Sequence, residues 1–349
     1  MAGAELLQPP LCSGLLRWIH RIGSHQGDLN NYASASLSKY GTLTNQTGAT
    51  LSNFAGSTLS NQAGATLTNN AIINNSATVD NFGTIKGTGT YTQTAGLTTI
   101  EAGASFTQGT LQLQGGSFTD YGTALINGDA TNSGGSITID GAGANLTVTG
   151  SYTQTGGGSK TTLDGGTFDP PAIDVDGGIF GGFGTVDRSL TLTGDTTTLQ
   201  AGDPIGELLI AGDYTQTGGD IVFDIESNGS GGFDESALDL GLNLTDVNIV
   251  FDFEDGADPG AFEGDGLFNI ATFFKATGGA SLLGDFGGGD TFTLEEADLQ
   301  TALNFDPATG DLSGGGSSST PEPGTLFLLL LAMGTLGFLV RRQGPLGQH

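Results

Sequence analysis

The chain is poor in the residues from which most active sites are built. Of 349 residues only three are histidine (His20, His25 and His349), one is cysteine (Cys12), and nine are lysine or arginine. With every histidine near a chain end, a Ser-His-Asp or Cys-His arrangement inside a folded body is unavailable, as is a zinc site of paired Cys and His. A lone cysteine closes no internal disulfide, so the fold has to be held by its own hydrogen-bonded ladders. Five basic residues lie between Gln26 and Val340, and the net charge is −28, which excludes the clustered Lys and Arg that nucleic acid requires. Charge of that sign keeps an exported protein soluble and attracts cations only diffusely. Apolar runs long enough for a membrane are absent before residue 326.

What the chain has in quantity is glycine, 62 residues of it, with abundant Thr, Ser and Asn and an apolar share of 36%. That mixture suits short strands and tight turns repeated many times. From Tyr40 the repeat is explicit: G-T-L-T-N-Q-T-G, A-T-L-S-N-F-A-G, S-T-L-S-N-Q-A-G, A-T-L-T-N-N. Leu43, Leu51, Leu59 and Leu67 recur every eight residues, each followed two positions on by Asn45, Asn53, Asn61 or Asn69. Gly48, Gly56 and Gly64 close the units. Residues two apart on a strand share a face, so Leu and Asn point one way and the flanking Thr or Ser the other. An octet supplies one strand and one corner, and two or three octets make one turn of a β-solenoid. Stacked turns place Leu over Leu in a core and let the Asn amides bond as a ladder at the corners, where only Gly adopts positive φ without cost.

A second motif reads G-T-Y-T-Q-T-A-G at Gly89–Gly96 and shortens to S-F-T-Q-G at Ser105–Gly109. It returns as L-T-V-T-G-S-Y-T-Q-T-G-G at Leu146–Gly157 and L-L-I-A-G-D-Y-T-Q-T-G-G at Leu208–Gly219. Leu146, Val148, Tyr152 and Gln154 share parity, as do Leu208, Ile210, Tyr214 and Gln216, which predicts one inward strand face ending in Tyr and Gln. These units resemble those in β-helical passenger regions of autotransporter-type surface proteins, although no outer-membrane barrel follows. From Asp220 the strands become longer and more apolar, as in Ile221, Phe223 and Ile225 or Val247, Ile249, Phe251 and Phe253. A terminal section of this kind would cover the open end of a coil.

The fold class expected is therefore all-β: a right-handed parallel β-helix, that hand being the rule for parallel crossovers, with a β-rich C-terminal cap and a short C-terminal transmembrane helix. The chain divides into a leader (1–30), solenoid repeats (31–219), a capping region (220–312), a Gly/Ser linker (313–320) and a tail (321–349). The leader lacks the basic, apolar and small-residue order of a signal peptide, which points to a misassigned start or a fragment.

Acidic residues offer few catalytic prospects. Asp174 with Asp176, and Asp252 with Glu254, Asp255 and Asp258, are the pairings that could serve carboxylate chemistry, but solvated acidic turns look the same. Lys160 and Arg188 are the only cations near mid-solenoid that could neutralise an acidic sugar. Neither the Gly-rich Ca²⁺ nonapeptide nor an EF-hand loop occurs, so the expectation is no cofactor, with structural calcium as the one candidate metal. Gly181–Gly184 is turn material rather than a phosphate cradle.

The tail is the most specific signal. Thr320 to Arg342 reads T-P-E-P-G-T-L-F-L-L-L-L-A-M-G-T-L-G-F-L-V-R-R. Its apolar run Leu326–Val340 would form a helix of about 22 Å, short of a bilayer core of roughly 30 Å. Arg341 and Arg342 would stay cytoplasmic and leave everything upstream outside. The order of Pro321-Glu322-Pro323, short apolar helix and basic end resembles the PEP-CTERM sorting signal of Gram-negative bacteria. That resemblance implies recognition by an exosortase at the inner membrane through residues 325–340, processing near the Pro-Glu-Pro, and a biofilm-forming, exopolysaccharide-producing setting. The expectation is an exported, non-enzymatic surface or extracellular-matrix protein with structural or adhesive work, whose partners are the exosortase, exopolysaccharide or other surface proteins. The alternative is a polysaccharide-active lyase or glycoside hydrolase on the same scaffold.

Overall fold

Each octet folds as the parity argument requires. Thr42–Asn45, Thr50–Asn53, Thr58–Asn61 and Thr66–Asn69 are four-residue strands with buried Leu and Asn. The chain then turns through Gly48, Gly56 and Gly64, at φ of 83°, 79° and 74°. A Cβ added at Gly48 or Gly64 would meet nothing, so the backbone conformation, not space, demands glycine at these corners. The computed structural model describes residues 16–19, 23–202, 205–226, 235–238, 241–253, 269–276, 290–296, 299–306 and 308–314.

Successive strands lie on three different faces. Face 1 stacks Ser36–Lys39 under Thr58–Asn61 and Thr78–Asn81. Face 2 stacks Asp28–Asn31 under Thr50–Asn53 and Ile72–Asn75. Face 3 stacks Thr42–Asn45 under Thr66–Asn69 and Thr84–Lys86. Leu43 therefore sits beneath Leu67, three octets on, and a turn takes the larger of the two expected numbers of units. The result is a parallel β-solenoid. Face 2 is an 11-stranded sheet ending at Leu242–Thr245. Faces 1 and 3 merge because Lys160–Asp169 and Gly178–Val186 run through the corner and pair on both. Above the octets the sequence period decays while the stacking register persists, because corner lengths vary but rungs still align. Face 1 continues through Phe118, Ile137 and Phe180 to Leu199, Ile221 and Ile249.

Inside, the apolar column is bracketed by amide ladders. On face 2 Asn31 Nδ2 donates to Asn53 Oδ1 (2.8 Å) and Asn53 Nδ2 to Asn75 Oδ1 (2.9 Å). On face 1 Asn61 donates to Asn81 (2.8 Å), and on face 3 Asn45 to Asn69 (2.7 Å). Each donating amide also reaches a main-chain carbonyl across the corner, such as Thr58, Thr78 or Thr84 O. A buried amide left unpaired costs about 1–3 kcal/mol; paired along the stack, these side chains instead lock the register. Gly87 shows how closely the ladder is fitted. Its φ is 142°, and a Cβ there would stand 1.8 Å from Asn69 O. The gap it leaves lets Asn69 Nδ2 reach Gln108 Oε1, two rungs up, at 2.7 Å.

Of the leader, the described residues join the coil: Leu16–Ile19 pairs with Ser36–Lys39, Asp28–Asn31 is a face 2 strand, and His25 bridges to Asn45. Parallel pairing continues past Asp220. Asp220–Ile225 pairs in parallel with Thr197–Ala201 below and Asn248–Phe253 above, because the same inward parity continues through Ile221 and Phe223. Leu146 and Val148 belong to face 3, whereas Tyr152 and Gln154, past the corner at Gly150, belong to face 2; all four point inward. Antiparallel strand pairing enters at Thr291–Glu296, which takes Leu299–Phe305 along its upper edge and so covers the unpaired groups that a parallel stack would expose. A single helical turn, Ile270–Phe273, buries Phe273 nearby. No helix among the described residues is long and apolar enough to cross a membrane. The linker from residue 315 and the expected C-terminal helix lie outside the described residues.

Candidate functional site

The Tyr-Thr-Gln-Thr motif is accounted for by the interior. Tyr91, Tyr152 and Tyr214 are fully buried on face 2, each with a Gln two residues on. Tyr152 Oη lies 2.5 Å from Thr161 Oγ1, and that hydroxyl donates to Gln154 Oε1 at 2.6 Å. Tyr91, Thr98 and Gln93 repeat the arrangement. The third copy faces Ile221 instead of a threonine, and Tyr214 bonds Gln216 directly. The Gln amides finish on main-chain carbonyls, Ser117 O for Gln93 and Ile179 O for Gln154. Burial pushes the Tyr91 and Tyr152 phenols up, keeping them protonated donors. Edge-on rings, Tyr91–Phe106 at 5.1 Å and Tyr152–Phe168 at 4.9 Å, join face 2 to face 3. Inward Thr98 and Thr161 are the partners that the octet pattern does not reveal, since the Thr of the octets faces out; Thr197 is buried as well.

Among the described residues two charged side chains occupy inward positions. Lys39 stands beneath Asn61, and burial lowers its ammonium to about 8 while Nζ donates to Gly41 O. Asp120 stands two rungs above Asn81, between Ile100 and Ile139, fully buried. Its Oδ1 accepts the Gly122 N–H at 2.9 Å, as Asn81 Oδ1 accepts that of Gly83. Asp120 Oδ2 has no hydrogen-bond partner, and burial pushes the carboxyl up to about 6.

Among the described residues, the acids singled out in the sequence fall on two different faces. Asp174 and Asp176 are exposed on the outer surface of face 2, and Asp252 lies on face 1 opposite Asp224. Glu254, Asp255 and Asp258 lie outside the described residues. Arg188 pairs with Asp169 at 2.9 Å on the surface, and Lys160 begins a face 1 strand. Among the described residues no three or more His, Cys, Asp or Glu side chains come together as a metal site would need.

The outer surface carries its own order, at the corner between faces 1 and 3. There the main-chain register sets Tyr40, Gln62, Phe82, Glu101 and Tyr121 on five successive rungs: Gln62 N bonds Lys39 O, Phe82 N bonds Asn61 O, Glu101 N bonds Asn81 O, and Tyr121 N bonds Ile100 O. Tyr40, Phe82 and Tyr121 are 44%, 45% and 41% exposed. Further up, the same corner turns acidic through Asp140 and Asp164. Desolvation, then the neighbouring Asp140 charge, raises the Asp164 carboxyl above its ordinary value.

The sorting residues Pro321, Glu322, Pro323, Arg341 and Arg342 lie outside the described residues. The model of the PEP-CTERM protein-sorting motif matches residues 319–343, so the chain joins a PEP-CTERM sorting tail to a β-solenoid body. That signal implies exosortase-type processing and a location in the cell envelope or outside the cell. Comparison with curated proteins and with solved structures returns no match to the chain.

Proposed function

We propose that this is a non-enzymatic structural or adhesive protein of the bacterial cell surface or extracellular matrix, delivered by its C-terminal signal and released or anchored by an exosortase. The sorting motif at 319–343 carries the reading. The body supports it: a long stack of outward Thr and Ser rungs presents many weak, parallel contacts, and avidity then replaces a pocket. Asp174 and Asp176 lie on the solvent side of face 2, and Asp252 lies on face 1. In this reading the exosortase is the processing partner, exopolysaccharide or neighbouring surface proteins are the contacts, and no cofactor takes part.

The test is intact mass and cell fractionation of the native chain beside a variant with Pro321, Glu322 and Pro323 replaced by alanine. A mature form ending near residue 321, found outside the cell only with the triplet intact, is the expected result. Full-length protein retained in the cytoplasm in both strains would overturn the reading. Incubation of the mature form with neutral and acidic polysaccharides should leave polymer length unchanged; depolymerisation would establish the enzyme instead.

A further inference from the structure

The corner between faces 1 and 3 carries a row of aromatic rings with a regular step. Tyr40, Phe82 and Tyr121 stand on alternate rungs, so at 4.7–4.9 Å per rung they are spaced roughly 9.5 Å apart along the coil. Adjacent-rung rings would have stacked on one another, as Tyr32 and Phe54 do elsewhere on this surface, 5.1 Å apart and nearly parallel. Phe82 and Tyr121 stack on no other ring among the described residues, and they are 45% and 41% exposed. Gln62 and Glu101, both half-buried, occupy the rungs between; Gln62 Nε2 already donates to Ser60 Oγ at 2.6 Å, which leaves its carbonyl oxygen to accept.

We propose that this corner is a binding ridge for an extended, neutral polysaccharide lying along the coil, with each ring stacked on the C–H-rich face of every second sugar. This rests on the polysaccharide-contacting reading above and names the surface and the class of polymer. A two-rung step is commensurate with the disaccharide repeat of an extended chain of equatorially linked pyranoses, and both lattices are periodic, so Phe82 and Tyr121 engage together, with Tyr40 on the same register two rungs below Phe82. Aromatic faces suit pyranose C–H bonds, while Gln62 and Glu101 suit hydroxyls. Charge selects the neutral class: the chain carries −28, and Glu101, Asp140 and Asp164 stand on the same corner, so a uronic-acid polymer is repelled. A second copy of the chain is a poor occupant, because a stable protein interface buries on the order of 1,200 Å² or more of continuous surface. This ridge is one residue wide and broken by polar rungs.

The experiment compares the full chain with a Tyr40→Ala/Phe82→Ala/Tyr121→Ala variant and a Tyr32→Ala/Phe54→Ala control. Depletion from solution by cellulose is measured, with polygalacturonate-bearing resin as the anionic comparator. Circular dichroism checks folding, and the single variants Phe82→Ala and Tyr121→Ala provide a second route if the triple variant misfolds. The expected result is partition to cellulose reduced about tenfold or more in the triple variant, unchanged in the control, and negligible binding to the anionic resin. Equal binding by the triple variant would overturn the ridge while leaving a polysaccharide-contacting role intact. Binding to the anionic resin alone would overturn the neutral-polymer assignment. A sedimentation shift to a dimer that the triple variant abolishes would assign the rings to self-association. Retention of the native protein in the cytoplasm, by contrast, would remove the surface reading without bearing on the ridge.

Discussion

Replacing Asp120 by asparagine should stabilise the solenoid at neutral pH and do much less in acid. The carboxyl sits in the same inward column as Asn61 and Asn81, and those side chains donate Nδ2 to Thr84 O and Ser105 O across the corner. By the register of face 3, the equivalent carbonyl for Asp120 is that of Asn145. An ionised Oδ2 has no proton to offer it, which accounts for the missing partner and the upward shift to about 6. Unfolded, the group titrates near 3.9. A folded value above the unfolded one means that the native state holds the proton more tightly. Its favourable contribution is complete below about 3.9 and is lost as pH rises through about 6. Integrated over that window, burial of the charge costs about 1 kcal/mol at pH 4.5 and about 3 kcal/mol at pH 8. Asp120→Asn removes the charge and restores the donor in the geometry of Asn81. Thermal unfolding followed by circular dichroism at the two pH values reads the difference. A melting temperature raised clearly at pH 8 and only slightly at pH 4.5 is expected. An equal shift at both, or a loss at pH 8, would refute the ladder argument.

Two further substitutions probe the interior. Asn53→Ala strips an amide that accepts from Asn31 and Ser57 and donates to Asn75 and Thr78 O. Loss should be about 3 kcal/mol, seen as hydrogen exchange accelerated in residues 28–31 and 72–78 more than in distant coils, because a stacked repeat is stabilised through its nearest neighbours. Uniform acceleration along the whole coil would contradict that locality. Gly87→Ala drives a Cβ into Asn69 O and strains a positive φ; destabilisation of about 3 kcal/mol or more is expected. Gly48→Ala, where there is open space, should pay only the backbone term, about 1 kcal/mol. Chemical denaturation of both variants ranks them, and equal losses would show that space at Gly87 is not the constraint.

Much of the coil was legible because its causes are local. Parity on a strand puts Leu and Asn on one side, and glycine marks each corner, so strand length, inward faces and amide ladders follow from the octets alone. The tail was legible for a different reason: its motif is a contiguous string of residues. The Tyr-Thr-Gln-Thr units show their inward parity in the sequence but not the two strands they occupy, since a corner at Gly150 preserves parity on both sides.

Other features depend on which rung lies over which, and that is set by corner lengths summed along the chain. Asp120 is unremarkable in sequence, one acid among 37; stacking alone carries it into the Asn column and strips its water. Tyr40, Phe82 and Tyr121 are unevenly spaced in sequence, yet equal numbers of turns separate them, and hydrogen bonding between coils brings them onto one edge. The same holds for Thr98 and Thr161, which parity places only once face 1 is known to pass beside the tyrosines. The sequence by itself determined the strand, the corner, the inward side and the address on the tail, because each is a matter of neighbouring residues. Only the tertiary structure decided three faces per turn, the buried acid and the aromatic edge, because each arises from residues a full turn or more apart meeting through the ladder.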